Sequence, residues 1–304
     1  MIPLCLVTGF LGSGKTTFLR HVAQLHHDRK IVYLVNDFAP QDIDGALLSE
    51  VEDDVVAIPG GSIFCRCLAT QFAANLKQIP ERFGTPDCPV EGVVIEASGI
   101  ADPRVMEQML HEARLDEVYE LASVISIVDP GSLPKLIHTL PNIRAQIEAA
   151  DVVLLNKVDL FSEAEVEAAE KIVAEVRPDA RIVRTMECRV DLSLFDATRA
   201  RALAGEYAPC ADPHYVSVFF PAHSPLNVQR VREVVGEMSE KLYRVKGTVP
   251  LEEGACRISF SRGSFIAEVI PTAGDSPGLA VISRGDAGEE VAAGFARLTR
   301  VVAQ

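Results

Sequence analysis

The chain has 304 residues, of which 48% are hydrophobic and none is Trp, so one large or two modest domains with an aliphatic core are expected. Its formal net charge of −14 opposes binding to nucleic acid and to anionic membranes, and neither is expected as a partner. No apolar stretch reaches the roughly 18–20 residues of a membrane span, and an odd number of Cys, seven, favours reduced thiols in the cytoplasm over a disulfide framework.

The first two thirds of the chain alternate between short apolar runs and helical patterns. The apolar start has no basic leader and runs directly into a glycine loop, so it predicts a first β-strand and not a signal peptide. Predicted strands are Pro3–Thr8, Ile31–Val35, Val93–Ile95, Ser123–Val128, Val152–Leu155 and Arg181–Arg184. Predicted helices are Lys15–Leu25, Pro103–Ala113 and Ser162–Val176, the last with Ser162 as N-cap and Glu165 three residues later. This alternation predicts an α/β fold with a mostly parallel sheet covered by helices.

The rest of the chain has a different pattern. Residues 187–213 lose the alternation and contain Pro209 and Pro213, so they predict a linker. The tail predicts a small α+β domain over residues 214–304, after a first domain over residues 1–186. Its predicted strands are Tyr215–Phe220, Arg244–Val249, Cys256–Phe260, Phe265–Ile270 and Leu279–Ser283. Its predicted helices are Asn227–Leu242 and Gly288–Leu298.

A phosphate-binding loop is predicted at Gly9–Thr16, which matches the pattern G-x-x-x-x-G-K-[ST] between a strand and a helix. Glycines let several backbone N–H groups point at phosphate oxygens, and the following helix directs its positive end there. Lys15 is expected to reach the β- and γ-phosphates, and the Thr16 hydroxyl to bind Mg²⁺. The predicted nucleotide-binding residues here are Gly9, Gly12, Ser13, Gly14, Lys15, Thr16 and Thr17. The alternative is a chance match in a strand–turn–helix.

A guanine-reading motif is predicted at Asn156–Asp159, directly after an apolar strand. Asp159 can accept hydrogen bonds from guanine N1–H and from its exocyclic amine, whereas adenine would leave a buried Asp159 unpaired. The Lys157 stem can cover the face of the base, and Asn156 is expected to brace the site. The alternative is an ordinary charged turn at the end of a strand.

A second acidic motif follows the predicted strand Val93–Ile95. Glu96 ends this strand and Gly99 comes three residues later. Beside the phosphate loop, Glu96 could hold Mg²⁺ directly or through water, and the Gly99 N–H could sense the γ-phosphate. The alternative is an ordinary acid at a strand end.

Taken together, these segments resemble the CobW-like GTPases, which belong with the HypB and UreG metallocentre-assembly proteins. The resemblance is carried by Val7–Thr17, Val35–Phe38, Ile95–Pro103, Val128–Asp129, Leu155–Leu160 and, later, Tyr243–Gly247. It implies a P-loop GTPase domain followed by a CobW-type C-terminal domain. It also implies a slow, Mg²⁺-dependent GTPase that often dimerises, with GTP hydrolysis coupled to metal delivery or insertion into a client metalloprotein or cofactor enzyme.

The chain departs from the family where the resemblance would place a transition metal. Asn36-Asp37-Phe38-Ala39 stands where the family has Asn-Glu-Phe-Gly, and only Cys65-Arg66-Cys67 matches the family's Gly-Cys-x-Cys-Cys motif. Asp37 lies where a switch loop belongs. It is expected to position the attacking water or to link the nucleotide to the segment that carries Cys65 and Cys67, called the thiol segment below.

The thiol pair has three interpretations. On an extended segment, Cys65 and Cys67 would point to one side and could bind one soft ion such as Zn²⁺, with further ligands from elsewhere. They could instead be small buried hydrophobes, or a redox-active pair. These alternatives stay open at this point.

The function expected from the sequence is therefore a GTPase that acts as a metallochaperone. Lys15, Asp37, Glu96 and Gly99 are its candidate catalytic residues. The competing hypotheses are a nucleotide-gated interaction module without a working metal site and another P-loop enzyme, such as a small-molecule kinase.

Overall fold

The computed structural model describes residues 1–37, 48, 54–59, 62–66, 68–196, 204–208, 214–261, 263–273 and 277–299, without the side chains of Asp37, Pro59 and Thr299. These residues fall into two compact units. The described residues of the first unit lie between Met1 and Ala208, and those of the second between His214 and Thr299.

The first unit contains a seven-stranded sheet with the strand order β3-β2-β4-β1-β5-β6-β7. Every pairing between its described strands is parallel. The strands are β1 (Ile2–Thr8), β2 (Ile31–Asp37), β3 (Val55–Pro59), β4 (Gly92–Glu96), β5 (Tyr119–Val128), β6 (Val152–Asn156) and β7 (Arg181–Thr185). β1 is central, and its inner residues are fully buried, as expected for a strand covered on both faces.

Helices cover both faces of this sheet. They are α1 (Lys15–Leu25), α2 (Ala69–Phe83), α3 (Met106–Glu112), α4 (Leu133–Leu136), α5 (Pro141–Glu148) and α6 (Glu163–Val176). One face packs against α1 through Phe18, Leu19 and Val22, and the other packs against α2 and α3. The sheet is thereby buried on both sides, which confirms the predicted α/β class.

Four of the described helices and strands of this unit were not predicted from the sequence: β3, α2, α4 and α5. In α2, Phe72, Leu76 and Ile79 are buried at helical spacing, and Pro80 lies inside the last turn. The helix predicted over Pro103–Ala113 begins as a 3₁₀ turn, Pro103–Val105, and only α3 is α-helical. The residue before a proline avoids the α-region, and Asp102 is accordingly extended.

The predicted N-terminus of α6 is confirmed in detail. Ser162 and Glu165 form a capping box, in which the Ser162 side chain accepts from the backbone N–H of Glu165 and the Glu165 side chain accepts from the backbone N–H of Ser162. These bonds satisfy backbone donors that the first turn would leave open. The sequence pattern was sufficient here because the interaction is local.

The second unit contains a five-stranded sheet with the order β11-β10-β9-β12-β8, and all its described pairings are antiparallel. Its strands are β8 (Tyr215–Pro221), β9 (Leu242–Pro250), β10 (Ala255–Ser261), β11 (Ser264–Ile270) and β12 (Gly278–Arg284). Helices α7 (Val228–Glu237) and α8 (Gly288–Thr299) share one hydrophobic core with the sheet. This arrangement confirms a separate antiparallel sheet at the C-terminus. The predicted helix Asn227–Leu242 is shorter than expected, with Asn227 as its N-cap.

The predicted linker, residues 187–213, includes described residues that pack on the first unit. Leu192 and Leu194 are buried in the core that also contains α1. The domain limits themselves stay a prediction. Among the described residues, no helix combines the length and the apolar character needed to cross a bilayer.

Candidate functional site

The predicted nucleotide-binding residues meet at one edge of the seven-stranded sheet. β1 ends at Thr8 beside the glycine loop, β4 ends at Glu96 and β6 ends at Asn156. Because these strands are parallel, their carboxyl ends lie at the same edge, which is where open α/β sheets bind ligands. The fold therefore brings three separately predicted motifs to one place.

The phosphate loop has the left-handed backbone that its glycines permit. Gly9, Gly12 and Gly14 have φ angles of +138°, +76° and +117°. Lys15 opens α1 and is only 5% exposed. Its Nζ donates to Gly9 O at 2.9 Å and to Phe10 O at 3.4 Å. The ammonium group thus lies over the loop, where phosphate oxygens would compete with these carbonyls for its protons.

Gly14 has no room for a side chain. A Cβ atom there would lie 2.5 Å from Asn156 Nδ2 and 3.0 Å from Cys188 Sγ. Ser13 Oγ is buried and has no hydrogen-bond partner among the described residues. Thr17 is exposed on the first turn of α1. The loop is therefore packed tightly against the predicted base-reading segment on one side and open to solvent at Thr17.

Thr16 and Glu96 form a pair of oxygen donors. Thr16 Oγ1 donates to Glu96 Oε1 at 3.2 Å, and Glu96 is 2% exposed at the end of β4. Mg²⁺ prefers hard oxygen ligands and is usually held by one or two protein groups together with phosphate oxygens and water. A hydroxyl and a buried carboxylate beside the phosphate loop fit that donor set.

The segment after Glu96 lies directly on the phosphate loop. A Cβ atom at Gly99 would lie 2.6 Å from Leu11 N, so only glycine allows this close approach. Two amide side chains of α5 stabilise the segment by hydrogen bonds. Asn142 Nδ2 donates to Ile100 O at 3.0 Å, and Gln146 Nε2 donates to Ala101 O at 3.0 Å. Gly99 therefore lies where gain or loss of a bound γ-phosphate would affect its position.

Asn156 connects three parts of the site. Its Nδ2 donates to Ser13 O at 2.9 Å, and its Oδ1 accepts from Cys188 N at 2.9 Å and from Thr185 Oγ1 at 3.1 Å. The side chain is 2% exposed, so these bonds are shielded from water. Asn156 therefore braces the phosphate loop against the segment that follows β7.

Lys157 reaches across the phosphate loop to an acid that was not among the predicted site residues. Its backbone is left-handed, with φ of +65°, and its Nζ donates to Gly12 O at 2.7 Å and to Asp129 Oδ2 at 3.2 Å. The Asp129 side chain is 6% exposed. Its position just after the apolar strand β5 is the signal that could have identified it, because that strand ends at the same sheet edge.

We expect Asp129→Asn to weaken GTP binding about fivefold and to change turnover of bound GTP little. The substitution removes a charge partner that holds the Lys157 stem over the loop, and a partly exposed ion pair is worth about 1 kcal/mol. The Kd for GTP and the single-turnover rate would be measured separately. Glu120→Gln, at the exposed opposite end of β5, is the matched control. Equal affinities for both variants would contradict the assignment.

Cys188 and Asp159 are the remaining residues considered at this edge of the seven-stranded sheet. Cys188 has φ of +55°, and its Sγ lies 3.4 Å from Gly14 O. Burial raises the pKa of the Cys188 thiol to about 12, despite the opposing effect of Lys157, so this thiol stays neutral at physiological pH. Asp159 was expected to be buried, but it is exposed, because it lies in a 3₁₀ turn, Val158–Leu160, that has no buried residue.

The thiol segment is described in part. Cys65 is 4% exposed and is disulfide-bonded, so the expectation of a reduced thiol is wrong at this position. Cys67 and the Asp37 side chain lie outside the described residues. Among the residues that are described, no group of three or more His, Cys, Asp or Glu side chains is placed to hold a metal. In the disulfide form Cys65 is not a thiolate, so it fits a Zn²⁺ ligand only after reduction.

The turn that carries Cys65 is built by local hydrogen bonds. Cys65 N donates to Ser62 O at 2.9 Å, and Ala69 N, at the start of α2, donates to Cys65 O at 3.0 Å. On its outer side, Ala208 N donates to Phe64 O at 2.9 Å. The turn is therefore fixed between the start of α2 and the segment around Ala208.

Comparison with protein families gives one clear match. The model described as "CobW/HypB/UreG, nucleotide-binding domain" matches residues 3–184. This range contains the phosphate loop, Glu96 and the Asn156–Asp159 motif, and it corresponds to most of the first unit.

Named relatives are similar over a larger part of the chain. The zinc chaperone YjiA of Escherichia coli (strain K12) is 27% identical over 275 residues, which cover 85% of this chain and 85% of that protein. The zinc chaperone YeiR of the same strain is 32% identical over 212 residues, covering 69% and 62%. Zinc-regulated GTPase metalloprotein activator 1 of Dictyostelium discoideum is 26% identical over 287 residues, covering 77% and 59%. The chain thus spans about six tenths of the last two proteins.

A solved structure resembles the chain over almost its full length. The crystal structure of Zn(II)-bound YjiA GTPase from E. coli has 22% sequence identity and a TM-score of 0.48, and the match covers 98% of this chain and 99% of that one.

Proposed function

The chain belongs to the CobW/HypB/UreG family, and on that premise we propose that it is a Mg²⁺-dependent GTPase whose nucleotide state controls delivery of a metal ion to a client protein. The observation that carries the GTPase part is the hydrogen bond from Asn156 Nδ2 to Ser13 O at 2.9 Å. It fixes the guanine-reading segment directly on the phosphate loop, so one bound nucleotide can contact both.

The residues at the sheet edge supply most of the chemistry of hydrolysis by charge and position. Backbone N–H groups of the phosphate loop bind the phosphates, and Lys15 neutralises the charge that develops on the γ-phosphoryl oxygens. Thr16 and Glu96 would hold Mg²⁺, which when bound neutralises phosphate charge. We assign Asp37 to positioning the attacking water.

Hydrolysis would remove the contacts that the γ-phosphate makes near Gly99. Segments ordered by a γ-phosphate commonly relax when it leaves. A motion of the Gly99 segment is the proposed readout of nucleotide state, and the client metalloprotein would respond to it. A homodimer in the cytoplasm is proposed as the form in which this protein acts.

The cargo is proposed to be Zn²⁺, because three similar proteins are named for zinc. Cys65 and Cys67 are the ligands that this chain offers. The Cys65 disulfide must first be reduced: a dithiol reductant supplies two electrons, its own thiols become a disulfide, and two cysteine thiols form in the protein. The two thiols then lose their protons when Zn²⁺ binds.

The experiment that tests this proposal is titration of the reduced protein with Zn²⁺ and Co²⁺, in the presence of GDP or a non-hydrolysable GTP analogue. We expect Cys65→Ser/Cys67→Ser to lose one bound metal ion. The matched control is Cys88→Ser, which replaces an exposed free cysteine and should bind metal like the wild type.

The outcomes separate the parts of the proposal. Equal metal binding by the double variant and the wild type would eliminate the thiol site. Binding that needs the thiols but ignores the nucleotide would keep the site and reject its control by GTP. If ATP competed for the nucleotide site as strongly as GTP does, another P-loop enzyme would be favoured over a GTPase.

A further inference from the structure

One buried side chain connects the sheet edge that carries the predicted nucleotide-binding residues to the turn that carries Cys65. Asn36 lies at the end of β2 and is 2% exposed. Its Oδ1 accepts from Ser98 N at 3.2 Å and from Ile63 N at 3.0 Å, and its Nδ2 donates to Ile58 O at 2.9 Å. Because the first two partners are N–H groups and the third is a carbonyl, they fix the orientation of the amide.

The first partner belongs to the segment that contacts the phosphate loop. Ser98 is buried between Glu96, which donates an oxygen to the predicted Mg²⁺ site, and Gly99, which lies against Leu11. A displacement of Gly99 on gain or loss of the γ-phosphate would therefore move the N–H of Ser98, the residue directly before it. That N–H bonds to Asn36.

The second partner belongs to the turn that carries Cys65. Ile63 and Phe64 are completely buried, so the turn is anchored in the core on its inner side. Cys65 N donates to Ser62 O at 2.9 Å, and Phe64 N donates to Ser62 Oγ at 3.2 Å. A change in the hydrogen bond of Ile63 N would thus alter the backbone conformation of the turn at Cys65, two residues later.

We propose that Asn36 is the positioning residue that couples nucleotide state to the conformation of the Ser62–Cys65 turn. This inference rests on the proposed function and names the link that the function requires. A single carbonyl oxygen is shared by two backbone donors, so its bond to one changes when the other moves. Thermodynamic coupling of this kind is reciprocal, and the state of the turn must equally affect nucleotide affinity.

The test is residue-resolved amide hydrogen exchange on the fully reduced protein, with GDP and with a non-hydrolysable GTP analogue. In the wild type, we expect the exchange rates of Ser98 and Ile63 to change together between the two nucleotides, by about fivefold or more. In Asn36→Ala, the response at Ser98 should remain and the response at Ile63 should be lost. Asn36→Asp keeps an oxygen for both donors, and the response at Ile63 should survive.

Asn142→Ala is the matched control. It removes an amide that also bonds to the segment after Glu96, at Ile100 O, but none of its described hydrogen bonds reaches the Ser62–Cys65 turn. It should therefore retain the coupled response. If only Asn36→Ala loses the response at Ile63, the proposal stands.

Two results would overturn it. One is an Ile63 amide that ignores the nucleotide in the wild type, a measurement that needs no variant to fold. The other is an unchanged response in Asn36→Ala. The affinities of both nucleotides are measured in the same samples, so a protein that binds GTP but shows no coupling refutes the role of Asn36 alone. A wild type that binds neither nucleotide refutes the proposed function.

Discussion

Lys15→Ala should lose GTP hydrolysis by a factor of about 10²–10³ or more, to below detection if the rate is as slow as the family resemblance implies. The Lys15 ammonium lies over the phosphate loop, 2.9 Å from Gly9 O, and in the proposed mechanism it is the charge that the loop presents to the β- and γ-phosphates. Removal of one preorganised group that stabilises transition-state charge costs about 2.7–4 kcal/mol in well-studied sites. Release of phosphate under single-turnover conditions, with saturating GTP and Mg²⁺, would measure the loss.

The control for this variant is Lys77→Ala, which removes an exposed lysine on α2 and should hydrolyse GTP like the wild type. Thermal unfolding of both variants would verify that the fold is kept. Hydrolysis by Lys15→Ala at the wild-type rate would mean that the phosphate loop does not perform the reaction.

Asp159→Asn should weaken GTP binding by roughly 10²–10⁴ and make xanthosine triphosphate the preferred nucleotide. Asp159 would accept two hydrogen bonds from guanine, and bonds to a charged group contribute about 1.5–3 kcal/mol each. Xanthine carries a carbonyl where guanine has its exocyclic amine, so an Asn amide can donate where Asp accepted. Competition of GTP, xanthosine triphosphate and ATP for the site would give the base preference.

Glu167→Gln is the corresponding control, because it neutralises an exposed carboxylate on α6 without approaching the phosphate loop. It should leave the order of the three nucleotides unchanged. If Asp159→Asn also keeps that order, Asp159 does not read the base and the guanine assignment fails.

The fold was predictable where the signal is local. Parallel strands buried over most of their length, such as β1 and β4, appear in the sequence as continuous apolar runs, and the α6 capping box depends on residues only three apart. The α2 pattern was equally local, with Phe72 and Leu76 four residues apart, but Pro80 interrupts it. A proline near the end of a helix removes one donor and ends the regular pattern early.

The candidate site was predictable as motifs but not as a network. Asp129 and Cys188 contact the phosphate-loop region from segments that follow β5 and β7, and Asn36 joins segments that are 27 and 62 residues away in the chain. Such contacts depend on strand order, which the sequence pattern does not specify. The exposure of Asp159 likewise follows from the 3₁₀ turn Val158–Leu160 at the end of β6, which the motif itself did not predict.

The strand order also determines when the phosphate loop can take shape during synthesis. β1 pairs with β4 and β5, so Val7 has both of its neighbours, Glu96 and Ile125, only after residue 125 has been made. Until then, this apolar strand lacks a partner on at least one edge, a condition in which nascent chains tend to aggregate. We therefore expect chaperones that cover exposed apolar strands to matter most while the first half of this chain emerges from the ribosome, before a nucleotide has any site to bind.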